Sequence, residues 1–169
     1  MTTTTDTRTT DTAPAPTWTP APGKALLLRT TSKDGRSHGG YQWPRTIGAT
    51  ATAPDWDPTP ICGYGLHGLL WGTGSGSLLS RDPDALWWVI EVDTDTVVDL
   101  TGKVKAPSAV IVHVGDRATA VDLITQHAPN GSLIVYGTAT AGYRGTATAG
   151  YDGTATAGNH GTATAGNHG

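Results

Sequence analysis

The chain has 169 residues, 37% hydrophobic and 15% charged, with 23 glycines, 11 prolines and no phenylalanine, which suits one ordinary domain plus appendages too poor in apolar mass to share its core. A net charge of −3 from 11 basic and 14 acidic residues, interspersed along the chain, offers no basic stripe for nucleic acid or anionic lipid. The single cysteine, Cys62, excludes an internal disulfide and a Cys-based zinc cluster, and the longest apolar runs, such as Ala85–Val92, are too short to span a bilayer.

In chain order, residues 1–23 are mostly Thr, Pro and Ala without hydrophobic period and read as a disordered arm. They also lack the basic start and apolar stretch of a Sec export signal. Trp18 is the arm's one sticky residue, a weak docking contact or none rather than a ligand site.

Residues 24–136 read as one α+β domain. Lys24–Thr30 (KALLLRT) predicts a buried strand, and Leu66–Trp71 and Ser77–Ser80 flank a glycine-rich turn at Gly72–Gly76. Leu86–Val92 (LWWVIEV) has the length and β-rich content of a central strand, and Thr96–Leu100 and Ala109–Val114 predict two more. Residues 46–60 are a Pro-rich loop. Asp116 is placed to cap a helix whose apolar face carries Val121, Leu123, Ile124 and His127, ended by Pro129-Asn130-Gly131. Ser132–Tyr136 predicts a strand leading out. Consecutive strand residues point to opposite faces, so Trp87 and Trp88 cannot enter one core; one of them is a candidate interface, with the repeats or with a partner.

Several constellations carry weaker signals. Gly72-Thr73-Gly74-Ser75-Gly76 lacks the lysine and helix start of a phosphate cradle and reads as a plain turn. His67 and His113, with Arg29 and Glu91, would line a cleft if the fold gathered them, but no spacing ties them together. His113 alternates with Ile111 and reads as a core histidine. His160 and His168 recur with the repeat and read as solvated corners rather than metal ligands. Asp93, Asp95 and Asp99 lack the glycine and terminal glutamate of a calcium loop. No cofactor and no metal are called for.

Residues 137–168 are four octads, GTATAGYR, GTATAGYD, GTATAGNH and GTATAGNH, followed by Gly169. So regular a short period predicts a β-solenoid (a β-helix) whose units stack on one another. Thr-Ala-Thr favours an extended strand and the glycines suit corners. Alternation puts the threonines on the water side and the alanines inside. On stacked strands, Thr-x-Thr makes a flat grid of hydroxyls and methyls that anchors and confines surface water.

These residues resemble those of the bacterial ice nucleation proteins. Ala141–Thr148 (AGYRGTAT) is similar to the family octad, and KALLLRT (24–30), GLHGLLWGTGSGSLLS (65–80) and KVKAPSAVIVHVGDR (103–117) look like its amino-terminal domain in the same order. The resemblance implies a non-enzymatic protein of the bacterial cell surface and outer membrane. It implies a solenoid that binds ice and ordered water on Thr-x-Thr faces, activity that rises with self-association into multimers, and contact with the cell envelope. Carried onto this chain, the ice-organising pairs are Thr138/Thr140, Thr146/Thr148, Thr154/Thr156 and Thr162/Thr164, and the self-association tyrosines are Tyr143 and Tyr151. Against the family pattern of dozens of sixteen-residue coils, four octads give two coils. Every octad is TAT, and no distinct capping segment follows. The expectation is a globular α+β domain (24–136), a short β-solenoid stub (137–169) and weak ice binding. The competing expectations are an interaction or adaptor module with the octads as a vestigial spacer, and, more weakly, a small enzyme using Gly65–Gly76.

Overall fold

The computed structural model describes residues 17–169; the first sixteen residues of the expected disordered arm lie outside it. Seven strands form one sheet: β1 (Lys24–Thr31), β2 (Thr50–Thr52), β3 (Leu66–Leu70), β4 (Leu86–Asp93), β5 (Val98–Asp99), β6 (Val104–Ala106) and β7 (Ser108–Gly115). Their order is β2-β7-β4-β1-β3-β6-β5 and every pairing is antiparallel.

The long apolar runs of β1 and β4 follow from a sheet covered on both faces. The two-residue period sends Ala25, Leu27, Trp88, Ile90 and Val92 into one core layer. Leu26, Leu28, Trp87 and Val89 enter the other. Trp87 and Trp88 therefore part as expected, yet both are buried. Trp88 packs 5.7 Å from Trp43, and Trp87 meets Tyr136 edge-on at 5.5 Å, just before the octads.

The first layer is closed by the chain between β1 and β3, through Tyr41, Trp43 and Trp56. The loop expected over 46–60 contains β2, whose Thr50, Ala51 and Thr52 pair with Val110, Ala109 and Ser108. Three residues in a Pro-rich setting carry too little pattern to mark a strand; burial of Ala51 against the sheet settles it. The strand β6 went unmarked for the same reason. The second layer is closed by α1 (Arg117–His127), which buries Ala120, Val121, Leu123 and Ile124. Trp18 docks there too. Its indole donates to the Glu91 carboxylate, and its ring lies edge-on to Trp71 and His127.

Two further expectations are corrected. Ser132–Tyr136 is not a strand: Ile134 makes one antiparallel bridge to Thr73, and the chain then turns at Tyr136 with φ 60°. After the glycine-rich turn, Gly76–Leu78 is a single 3₁₀ turn. The turn itself is held by backbone packing, since a Cβ on Gly74 would lie 2.3 Å from the Gly102 carbonyl oxygen.

The Asp116 carboxylate caps α1 by accepting from the Thr119 N–H at 2.9 Å and its hydroxyl at 2.8 Å. The Thr119 N–H bond holds the carboxyl below its ordinary value of 3.8. Asp116→Ala is expected to cost about 1 kcal/mol at neutral pH. Because the folded-state pKa is depressed, this contribution is full above pH 3.8 and fades as pH falls through the folded value. Urea denaturation at pH 7 and pH 3 checks both statements.

The octads form β8 (Thr138–Ala141), β9 (Thr146–Thr148), β10 (Thr154–Ala157) and β11 (Thr162–Thr164). These make two separate two-stranded parallel sheets, β8 with β10 and β9 with β11. Among the described residues no helix is long and apolar enough to cross a membrane.

Candidate functional site

Each pairing in the octads joins residues sixteen apart. Thr138 and Thr140 lie beside Thr154 and Thr156, and Thr146 and Thr148 beside Thr162 and Thr164. All eight threonines are exposed, whereas of the alanines expected inside Ala147 and Ala149 are buried, Ala139 and Ala155 are half-buried, and Ala163, on the last strand, is exposed. Two in-register Thr-x-Thr ladders result. Within a strand the threonines recur at about 6.7 Å and the paired strands lie about 4.8 Å apart, so each four-threonine grid spans about 30 Å².

The corners repeat as strictly as the strands. Arg144, Asp152, His160 and His168 all adopt positive φ between 50° and 63°. The N–H of the following glycine then donates back three residues, as Gly145 to Gly142 at 3.0 Å and Gly153 to Gly150 at 3.1 Å. Ile134–Gly137 makes the same corner although its sequence is different: Tyr136 has φ 60° and the Gly137 N–H donates to the Ile134 carbonyl at 3.0 Å. The stacking bond matches as well. The Tyr136 N–H donates to the Tyr151 carbonyl at 2.8 Å, as Arg144 does to Asn159 at 3.0 Å. The globular part thus supplies a corner in the phase of the octads. Tyr136-Gly137 standing eight residues before Arg144-Gly145 is the only sequence signal for it.

Contact between octads and globular part is tight. A Cβ on Gly150 would fall 2.5 Å from the Leu133 carbonyl oxygen and 2.7 Å from that of Ile134. The Tyr151 ring lies over Gly76, so close that a Cβ there would be 2.1 Å from it. Its hydroxyl takes a hydrogen bond from Arg81 at 2.6 Å, and Arg81 pairs with Asp152 at 3.5 Å. Tyr143, by contrast, is 65% exposed. His160 stacks edge-on against Tyr143 at 5.6 Å and His168 against Tyr151 at 5.4 Å.

Of the four residues considered for a cleft, the fold brings two together. Arg29 Nη1 donates to the His67 carbonyl at 3.0 Å. Glu91 faces Trp18, and half-buried His113 sits opposite Val89, with burial lowering its pKa. Asp93 pairs with Lys24 at 2.6 Å and Asp99 accepts from the Thr101 N–H. Among the described residues, no three His, Cys, Asp or Glu side chains gather as a metal site.

Comparison with curated proteins gives matches of one kind. Over 106 residues the chain is 39% identical to ice nucleation protein InaU of Pantoea ananas, covering 62% of this chain and 10% of that protein. It is 41% identical over 104 residues to the ice nucleation protein of Pseudomonas syringae, 60% of this chain and 9% of the relative. The match to that of Xanthomonas campestris pv. translucens is 37% over 118 residues, 69% of this chain and 7% of the relative. The alignments thus span a tenth or less of these relatives' length. No family model matches the chain, and no solved structure matches it.

Proposed function

We propose that this chain, a relative of the bacterial ice nucleation proteins, orders water on its threonine ladders and so binds and seeds ice. The observation that carries this reading is the in-register exposure of eight threonines in two grids. Fixed hydroxyls hold water in a repeating pattern while the methyls between them limit where it can sit. Buried Ala147 and Ala149 and the hydrogen-bonded corners keep the octads stiff, so ordering water costs little entropy from the protein.

The sixteen-residue pairing supports a two-faced β-solenoid, one octad of each coil on each face. The globular part acts as its cap and template, since Ile134–Gly137 presents the first corner and covers one end of the stack. No enzymatic activity is part of this reading. The relatives' names refer to ice nucleation alone.

Location at the cell surface and assembly into multimers complete the proposal. Tyr151 is engaged by Arg81 and Gly76, so side-by-side pairing in this stretch falls to exposed Tyr143. With each grid only about 30 Å², a single copy binds ice weakly, and effective seeding requires copies to combine their grids.

Replacing one ladder by leucine (Thr146→Leu, Thr148→Leu, Thr162→Leu and Thr164→Leu together) removes the hydroxyls and the flatness of that face. It leaves the buried alanines and the corners in place. The variant is expected to lose at least half of the protein taken up by slowly growing ice, with an unchanged circular dichroism spectrum. Equal uptake by the two proteins would refute the reading.

A further inference from the structure

The globular part holds a cavity of about 510 Å³ that none of the ice-related features uses. Its lining includes Arg29, Lys103, His67 and Cys62, with half-exposed Tyr64 and Leu78 as apolar walls. The Arg29 guanidinium lies over Trp43, 3.9 Å from the ring centre, and donates to the His67 carbonyl and, at 2.9 Å, to the Ser37 hydroxyl. Its Nε is buried with no partner. Lys103 Nζ sits 3.0 Å from the Cys62 sulfur. Buried Lys105 donates to the carbonyls of Ile61 and Gly63 at 2.9 and 3.2 Å.

None of these three cations pairs with a carboxylate among the described residues. Their field reaches His67. Burial first, then the charges of Lys103, Arg29 and Lys105, push that imidazole down to about 4, and Asp55 alone opposes them. At neutral pH His67 is therefore an uncharged ring; Arg29, Lys103 and Asp55 share the cavity lining with it, while Lys105 stands behind the wall with Asp57 within reach of its charge. Burying a cation such as Arg29 without a counter-charge is costly, and a fold that does so gains from an anion that supplies it. Arg29 and Lys103 leave the lining net positive against Asp55, and a phosphomonoester, with about −1.5 to −2 charges at pH 7 and three acceptor oxygens, can take charge-assisted bonds from both cations at once, which a single carboxylate does less well. The volume holds an entire small molecule.

We propose that this cavity binds a small soluble phosphomonoester, Arg29 and Lys103 meeting the phosphate and Tyr64 and Leu78 meeting its apolar or aromatic body. The site is independent of the threonine ladders and stands or falls apart from the ice reading.

The test is calorimetric titration of the full chain with phenyl phosphate at constant ionic strength, with benzoate as the monoanionic counterpart. Saturable one-to-one binding of phenyl phosphate is expected, with benzoate at least about tenfold weaker, the effect of losing one charge-assisted contact. Arg29→Met risks the fold because Arg29 covers buried Trp43, so Lys103→Met carries the test. It is expected to weaken binding at least about tenfold, whereas Lys33→Met, on the exposed surface, leaves it unchanged. Phenyl phosphate is also expected to slow alkylation of Cys62 by iodoacetamide, because it takes the lysine charge that favours the thiolate. Absence of saturable binding at millimolar phenyl phosphate would overturn the proposal. So would equal affinity in Lys103→Met, equal binding of benzoate, or binding confined to phosphatidic acid vesicles.

Discussion

Trp88→Ala is expected to cost the globular part about 3–5 kcal/mol of stability. Its ring is wholly buried in the layer that Trp43, Leu27, Ile90 and Ile111 share. Its indole N–H donates to the buried Thr31 hydroxyl at 2.9 Å, tying β4 to the end of β1. Truncation removes one of the two fully buried indoles of that layer and opens a cavity that the β-strands on both sides cannot collapse to fill. A domain of this size is stable by about 5–15 kcal/mol, so the loss is a large share of the total. Urea midpoints of the variant and the parent chain measure it; a change under 1 kcal/mol would mean that the two-layer core is misassigned.

Gly150→Ala is expected to act on a different part of the molecule. The added methyl must displace the carbonyls of Leu133 and Ile134, both backbone atoms that have nowhere to swing. Overpacking of this kind costs about 1–3 kcal/mol, and here it falls on the seam between the corner at Ile134–Gly137 and the octads. Hydrogen exchange should therefore quicken across 138–164 while β1, β4 and β7 keep their protection. Gly142→Ala, at the equivalent position of the previous octad, meets open space and serves as the matched control. If both variants exchange alike, the globular part does not template the octads.

How much of this was legible in the sequence follows from how much pattern each element carries. β1, β4 and β7 were visible because long apolar runs suit strands buried on both faces, and α1 because Asp116 caps a phased apolar set. β2 and β6 have three residues each and owe their existence to the strands beside them. The octads announced their strands and corners by period alone. The corner before them stayed hidden, since Ile134 stands where each later corner has glycine and only backbone geometry equates the two. Trp18, assigned to a disordered arm, docks beside α1 because its ring finds Trp71 and His127 and its N–H finds Glu91. The cavity was half visible. Arg29 and His67 stand among the sequence's cleft candidates with His113 and Glu91, but their meeting depends on the antiparallel pairing of β1 with β3, which no spacing encodes.

If the threonine ladders organise water, they change how droplets freeze. The quantity to measure is the freezing temperature of droplets against protein concentration, for the parent chain and the four-leucine ladder variant. The two should differ little at low concentration, and the parent should then freeze at a warmer temperature that pulls away from the variant as copies assemble. Coincident curves at every concentration would contradict it, because the same fold without one grid would then seed ice equally well.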